Sequence, residues 1–589
     1  MLTFAMQSAL STTLSPVPFK IVNLVLHILI FTLIYRVLVQ LLRFGQRNLV
    51  DQSLANWAAV FGACLWLLSP LNLSTVAYVI QRMAQLSTLF VLAGLTYYLH
   101  VRPLLAKQAF DLPRFFPVVL WLLFFTTVAV LSKENGILLI PLVAAVEACI
   151  FRGLFRNEVN KQILYGAWIL ALTPFVYILG LILLRPEFVV NGYLARDFTV
   201  EERLLTQPLV IWHYAQNFLI PNLQFMSLLH DDIELVDTIA ESRFWLPTAG
   251  WIFVAACTFR VRKQSPLMFL GLFLFFIGHS IESSVLALEI AYEHRNYLPS
   301  VGTCVFLTGL LCFLRNFVSA VLVGATMLIL ISVSASTLFL RSYNWGDPIR
   351  LYGRWTEHHP QSYRSYLGLG ILYYDKFSDE KSGDSGSEAS YVAQLERVRS
   401  VLLKAHEIDP LAAGALVQLA VLDLNHFTLS PTGLAWVKQL EAGVQYWKAL
   451  SPEDVINLKK LVNFAKTDAC QESCKWQVGE LIETVARKFP SSALVAQFAY
   501  NMELILLDQE GTASSQARFV ARGISANAYL LRIEKLIFDG KYGHALIQSK
   551  DWLAYDRRRT TVEVQREILK ILDRVNAIQR QPAPEPRID

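Results

Sequence analysis

Charged residues are scarce in this chain, and their scarcity excludes an ordinary soluble protein. Asp, Glu, Lys and Arg make up 17% of the 589 residues and hydrophobic residues 54%, which is more apolar than soluble domains usually are. The formal net charge is only +5, so we infer no nucleic-acid partner. A charge at a membrane edge is costly unless it is paired or used, so the few charges near apolar runs are candidate functional groups.

Cysteine is sparse too, and the cysteines are not accompanied by the histidines expected of a metal site. Five of the seven cysteines lie in apolar segments, where cysteine acts as a small hydrophobic residue. Cys470 and Cys474 are four residues apart in a more polar region. That spacing fits either a local disulfide in an oxidising compartment or a free pair on one helical face. No histidine cluster accompanies them, which argues against zinc.

Long apolar runs occupy the chain up to about residue 340 and predict an all-α, polytopic membrane domain over residues 1–341. A helical domain follows over residues 342–575, and we expect a disordered tail over 576–589. The predicted spans are residues 19–42, 54–69, 83–100, 116–132, 136–151, 163–184, 244–259, 265–280, 300–315 and 317–340.

Basic residues predict the orientation of these spans. Alternate connections are rich in Lys and Arg and should face the cytoplasm, whereas the others hold only Lys20, Arg82, Lys133 and Arg295. The C-terminal domain then lies on the outer side. Met1 lies there too, without a signal peptide, which indicates either a short outward start or a missing upstream span.

Four outer segments carry ionisable side chains that we expect to converge. Arg82, Lys133 and Arg295 are suited to holding a phosphate. Carboxylates are candidate general bases or metal ligands. The segments are Gln81–Arg82, Lys133–Glu134, His230–Asp232 and Glu289–Arg295.

Structural interpretations of the same residues stay open. Glu293 and Arg295 fit a structural ion pair or a solvated loop, and the acidic pair Asp231–Asp232 fits a helix cap. His27, inside the first span, is expected to be a hydrogen-bonded core residue. The interrupted apolar segment Leu204–Leu219 suits a helix lying in the membrane interface.

The C-terminal part has the pattern of paired helices. A helix, a turn at Asp409–Pro410 and a second helix are predicted, and similar units follow with an uneven period near 34 residues. We interpret them as a tetratricopeptide-like α-solenoid, with an ordinary helical bundle as the alternative. No nucleophile constellation, Gly-rich phosphate loop or metal motif occurs in this part of the sequence.

Four features in this order resemble a known family: LSPLNLSTVAYVIQRMAQLSTLF, LSKENGILLIPL, IAYEHRNYLPSVG and the repeat-like C-terminus. Together they resemble the transmembrane and tetratricopeptide-repeat O-mannosyltransferases and their bacterial relatives, which are glycosyltransferases of the GT-C fold. The resemblance implies a GT-C-like helical bundle that takes a sugar from a polyprenyl-phosphate carrier on the outer membrane face. It also implies a site-proximal role for Arg82, Lys133, Glu134, Glu293 and Arg295.

The chain departs from that family at one point. Such enzymes use an acidic residue in the first outer loop as a base or metal ligand, but no Asp or Glu precedes Asp51 here. We expect either that the sequence starts too late or that this copy lacks the usual catalytic acid.

The resulting expectation is a bacterial inner-membrane enzyme that transfers a sugar to a protein hydroxyl on the periplasmic side, the acceptor being a pilin or other envelope protein held by the repeats. Alternatives are a glycan or lipid acceptor, or a non-catalytic membrane scaffold. A divalent cation is an open possibility. The expected roles are catalysis for Glu293 and Glu134, donor-phosphate binding for Arg82, Lys133 and Arg295, and metal or acceptor binding for Asp231, Asp232 and His294.

Overall fold

The computed structural model describes residues 2–10, 15–45, 52–381, 388–427, 432–490, 492–508 and 570. Contacts divide the chain into two compact units, Met1–Gln394 and Leu395–Asp589. Both are helical, and the strands among the described residues form a single two-stranded hairpin. The all-α expectation is therefore confirmed.

The helices of the first unit begin and end as follows: α1 Leu2–Leu10, α2 Pro16–Gly45, α3 Gln52–Leu67, α4 Leu73–Ala77, α5 Arg82–Ala106, α6 Leu112–Ser132, α7 Leu139–Val146, α8 Lys161–Leu184, α9 Pro186–Gly192, α10 Val200–Leu219, α11 Ser242–Val261, α12 Pro266–His279, α13 Pro299–Leu314, α14 Ala320–Trp345, α15 Pro348–His358 and α16 Tyr363–Lys381. Short 3-10 or π turns extend or link them at Pro70–Asn72, Val79–Gln81, Glu134–Leu138, Glu147–Phe151, Tyr193–Ala195, Leu223–Phe225 and Glu293–Asn296.

Seven helical segments among the described residues are long and apolar enough to cross a membrane, and an eighth is bent by 44° at Pro70. Two shorter apolar helices, α12 and α13, complete the set. Each of the ten segments predicted from sequence coincides with one of these elements. The chain is a multi-pass membrane protein: α6, α8, α11 and α14 expose most of their apolar side chains, as helices in lipid do.

Helices α12 and α13 pack against each other at the centre of the bundle. A Cβ atom added to Gly271 would lie 2.3 Å from the backbone nitrogen of Phe306, and one added to Gly302 would lie 2.4 Å from that of Phe275. Only glycine permits this approach, so the two helices meet through a seam of small residues, as membrane helices often do. The seam fixes the 280–298 connection that joins the two helices.

Contacts of Lys133 with Glu282 and of Arg341 with Glu293 place the C-terminal ends of α6, α12 and α14 and the start of α13 at the same end of the first unit. We call it the polar end. The opposite end carries its own buried ion pair, in which Arg102 donates to Glu147 at 2.7 and 2.8 Å. Beside that pair lies the hairpin of β1 Leu154–Phe155 and β2 Glu158–Val159.

Helix α10, in the long connection between α8 and α11, begins at a capping box. The Thr199 hydroxyl accepts from the backbone N–H of Glu202, and the Glu202 carboxylate accepts from that of Thr199. These two bonds satisfy donors that the first helical turn leaves unpaired. The segment Leu204–Leu219 is thus helical, as expected, and it packs on α11.

The second unit contains most of α17 Glu388–Ile408, followed by α18 Ala413–His426, α19 Thr432–Gly443, α20 Pro452–Phe464, α21 Glu472–Lys488 and α22 Ala493–Asp508, with a 3-10 turn at Val444–Tyr446. Helices α17 and α18 flank the predicted turn at Asp409–Pro410. Asp423 is fully buried and accepts from Arg399, Thr432 and Trp436 at 2.8 to 3.0 Å.

Several expectations for this part keep the status of predictions. The last predicted helix pair and the tail 576–589 lie outside the described residues, so the tetratricopeptide-like solenoid remains a prediction. Residues 342–394, which the sequence assigned to the C-terminal domain, fall within the first unit. Cys470 and Cys474 form a disulfide.

Candidate functional site

A buried carboxylate, Glu282, organises the polar end of the first unit. Lys133, which follows α6, makes a hydrogen-bonded ion pair with it. The side-chain amide of Asn135 donates to it at 2.6 Å, and Nε of Arg295 lies 3.7 Å from its other oxygen. We call these four residues the Glu282 cluster.

The Glu282 cluster holds two cations and one carboxylate. Burial acts to raise the pKa of Glu282, but Lys133 and Arg295 outweigh it, and the pKa is lowered from its usual value. Glu282 is therefore ionised at neutral pH. One positive charge is left over, which favours an anion as a further partner.

Glu293 belongs to a second buried pair. Both of its oxygens accept from Nη2 of Arg341, at 3.0 and 2.9 Å. The suggested Glu293–Arg295 pair is therefore wrong, because Arg295 lies beside Glu282 instead. Burial raises the pKa of Glu293, although Arg341 acts in the opposite direction.

Asp231 and Asp232 anchor the start of α16. Asp231 accepts from the Ser362 hydroxyl at 2.6 Å and from the backbone N–H of Arg364 at 3.1 Å. Asp232 accepts from Nδ1 of His359 at 2.8 Å. The contact with the Arg364 N–H, in the first turn of α16, agrees with the helix-cap interpretation.

Two histidines link these groups. Burial, with Lys133 adding to it, lowers the pKa of His294 to about 3. Burial and His359 lower the pKa of His230 to about 4. Both imidazoles are therefore neutral at pH 7, and His294 lies within electrostatic range of His230. The His230 ring lies 6.0 Å from the ring of His359, the partner of Asp232.

Several buried polar atoms at the polar end have no hydrogen-bond partner among the described residues. They are Oε2 of Glu282, Nδ1 of His294, Nε2 of His230 and Nε2 of His359. Buried polar atoms in proteins nearly always have a partner, either protein, water or ligand. Their concentration beside an uncompensated cation marks this region as a place where a polar ligand would bind.

Helix α10 holds the 280–298 connection in place. The fully buried guanidinium of Arg203 donates to the carbonyl oxygens of Glu282, Ser284 and Glu289 at 2.7, 3.0 and 2.6 Å. Tyr214 accepts from the N–H of Tyr292 and donates to its carbonyl oxygen. These bonds fix a segment without regular structure, so Arg203 and Tyr214 are positioning residues.

An apolar groove of about 510 Å³ runs between α10, α11, α12 and α13. Its lining includes Trp212, Trp251, Phe275 and Phe306. The Phe275 ring lies 4.7 Å from the ring of His279. His279 reaches the side-chain oxygen of Asn296 at 3.3 Å, next to Arg295. The groove lining holds none of the four residues of the Glu282 cluster, and His279 and Asn296 lie between its residue Phe275 and Arg295.

The structure brings together Lys133, His294 and Arg295, with Glu293 and the two aspartates in the adjoining contacts. It does not bring Arg82 to them. Nε of Arg82 donates to Asn23 at 2.9 Å, and its guanidinium lies 4.4 Å from the ring centroid of Phe4.

Two further residues complete the comparison with the sequence. Glu134 lies next to Lys133 but is exposed at the polar end. His27 is a buried residue bonded to Tyr297 and Leu67, as expected.

Sequence reasoning missed the partners of the predicted residues. Glu282 and Arg341 lie at the edges of predicted spans. A lone charge at such an edge is the sequence feature that could have marked them as candidates. Arg203 lies one residue before the segment that was interpreted as an interfacial helix. Its bonds to distant carbonyl groups leave no trace in the sequence.

The described residues do not fit a divalent cation. No group of three or more His, Cys, Asp or Glu side chains among them is arranged to hold one. Asp231 and Asp232, the candidate ligands, are already engaged by the start of α16.

Comparisons with known proteins leave the site to be interpreted from its own geometry. No protein-family model, no curated protein and no solved structure matches this chain.

Proposed function

We propose that this protein is a membrane glycosyltransferase of the GT-C type, which transfers a sugar from a polyprenyl-phosphate donor to a protein hydroxyl group. The observation that carries the proposal is the Glu282 cluster, with an apolar groove whose residue Phe275 contacts His279, the hydrogen-bond partner of Asn296 beside Arg295. A polyprenyl-phosphate sugar combines an anionic head with a long apolar tail. The leftover cation suits the head, and the groove suits the first part of the tail.

In this proposal Lys133 and Arg295 bind the donor phosphate. Glu282 holds both cations in the site before the donor arrives. As the bond between the sugar and the phosphate oxygen breaks, negative charge grows on the phosphate that stays on the prenyl carrier. Fixed cations in a dehydrated site stabilise such charge more than water does.

The acceptor hydroxyl oxygen forms the new bond to the sugar and gives up its proton. Glu134 is the proposed base, because its exposed carboxylate follows Lys133 directly and a general base must reach the acceptor. Both oxygens of Glu293 accept hydrogen bonds from Arg341. We therefore assign Glu293 the role of positioning the 293–296 turn.

The proposed location is a bacterial inner membrane, with the polar end and the second unit in the periplasm. The disulfide between Cys470 and Cys474 supports an oxidising compartment for the second unit. Its helix pairs, proposed as tetratricopeptide-like repeats, would present a pilin or another envelope protein.

The experiment is a transfer assay in membrane vesicles, with a polyprenyl-phosphate sugar as donor and envelope proteins as acceptors, read by mass spectrometry. Lys133→Gln and Arg295→Gln should each lower the transfer rate about 100-fold, the effect of removing one donor to a developing oxyanion. Arg243→Gln is the matched control. It removes a partly exposed arginine of a surface ion pair at the same end, and its rate should not change.

Protein abundance and gel filtration show whether the variants fold. Folded Lys133→Gln and Arg295→Gln variants that transfer sugar at the wild-type rate would refute the assignment. Transfer to a glycan or lipid but to no protein would show that the acceptor is not a protein hydroxyl group. No transfer to any acceptor would favour a scaffold.

A further inference from the structure

A second cavity, of about 370 Å³, lies at the end of α14 against α15 and residues 223–226. Among the described residues that line it, three are arginines, Arg341, Arg350 and Arg354, and none is acidic. Tyr343, Trp345 and Trp355 supply aromatic walls. The cavity therefore offers donors and aromatic faces rather than acceptors.

One of those donors is unpaired. Nε1 of Trp345 is buried and has no hydrogen-bond partner among the described residues. A buried indole N–H usually finds an acceptor. An acceptor placed in this cavity would meet the guanidinium groups, whereas the covered Trp345 N–H is not counted among its partners.

The arginines can exchange partners at little cost. Arg350 lies 3.4 Å from Asp347, the residue before α15, and donates to the carbonyl oxygen of Tyr343 at 3.1 Å. Arg354 lies 2.8 Å from Glu357 within α15. Such exposed pairs contribute little in water, so an anion with several acceptor oxygens competes well for both arginines.

The position of the cavity indicates the source of that anion. It opens where α14, one of the membrane-crossing helices, ends, and Leu340 and Tyr343 there are exposed. Tyr and Trp concentrate at the membrane–water boundary, where lipid headgroups lie. Amphipathic α15 follows, with Leu351 and Trp355 buried inside the protein and Arg354 exposed, so its polar face carries the arginine.

We propose that this cavity binds the phosphate headgroup of an anionic membrane phospholipid through Arg350 and Arg354. Arg341 also lines the cavity while holding Glu293, so a bound headgroup adjoins the candidate site. The proposal is independent of sugar transfer, because it concerns a bulk lipid and a separate cavity.

The test is a native mass spectrometry titration of the purified full chain with phosphatidylglycerol or phosphatidylcholine. Wild-type protein should retain one phosphatidylglycerol molecule more tightly than phosphatidylcholine. The Arg350→Gln/Arg354→Gln double variant should bind phosphatidylglycerol about 30-fold more weakly. Each basic residue near an anionic surface raises the affinity by a factor of about 5, and the variant loses two of them. Arg185→Gln/Arg243→Gln, which removes the arginine that follows α8 and the one in the first turn of α11, is the matched control and should bind normally.

Two results would overturn the proposal. One is equal phosphatidylglycerol affinity in the wild-type protein and in the Arg350→Gln/Arg354→Gln variant, or an equal loss in the control. The other is displacement of the lipid by inorganic phosphate that itself binds with similar affinity, which would identify a free phosphate as the ligand. Unchanged thermal unfolding of the double variant shows that its fold is intact.

Discussion

At the scale of single residues, the candidate site is defined by how its buried charged side chains pair with one another. Lys133 and Arg295 were predicted from sequence, but their shared partner Glu282 was not. Glu293 and Arg295 are two residues apart in the 293–296 turn, and their side chains reach different partners, Arg341 and Glu282. Closeness in sequence was therefore a poor guide to pairing.

Buried charges depend on one another, and the first prediction uses that dependence. Glu282→Gln should lower the free energy of unfolding by about 3 to 5 kcal/mol, because it leaves buried cations without a carboxylate. Lys133→Met removes one of those cations, so the double variant should be less destabilised than the sum of the two single variants by about 1 to 3 kcal/mol. Denaturant unfolding of the purified protein in detergent measures all three variants.

An exposed pair supplies the control for this cycle. Arg243 and Glu241 form a partly exposed ion pair at the same end, and their coupling should stay below about 1 kcal/mol. Additive effects of Glu282→Gln and Lys133→Met would show that the Glu282 cluster is not coupled.

At the scale of elements, the sequence was most informative where a single property dominates. Runs of apolar residues located the seven candidate spans, the bent pair and the two shorter apolar helices, because lipid leaves a helix as the only way to satisfy the backbone. The boundary between the two units was harder to predict from the sequence. Composition changes near Arg341, yet residues 359–364 are held by Asp231 and Asp232 from over a hundred positions earlier, and such long-range contacts leave no local pattern.

The glycine seam between α12 and α13 gives the second prediction. Gly271→Ala and Gly302→Ala should each lower the stability by about 1 to 3 kcal/mol, because the added methyl group meets backbone atoms that cannot move aside. Gly324→Ala is the matched control: it lies in a membrane helix with nothing within 4 Å of an added Cβ. It should leave stability unchanged or raise it by up to about 1 kcal/mol.

Thermal unfolding in detergent separates the three alanine variants. Equal melting temperatures for Gly271→Ala, Gly302→Ala and Gly324→Ala would mean that the close approach of α12 and α13 is not required.

At the scale of the whole molecule, the chain joins a membrane bundle to a second helical unit, and its chemistry concentrates at one end of the bundle. The fold class and the membrane character follow from the sequence. The apolar groove does not, because it is formed by α10 and α11 together with α12 and α13, and its volume depends on how those helices pack. Its residue Phe275 contacts His279, which bonds to Asn296 beside Arg295 of the Glu282 cluster.

The most direct measurement is photolabelling of the purified protein with a polyprenyl-phosphate sugar that carries a diazirine on its first prenyl units, followed by peptide mapping. We predict that labelled peptides come from α10, α12 and α13 around Trp212, Phe275 and Phe306, and that Arg295→Gln, folded and monodisperse, loses most of the label. Label spread evenly over the lipid-facing helices α6 and α8, or unchanged in Arg295→Gln, would contradict a donor site at the Glu282 cluster.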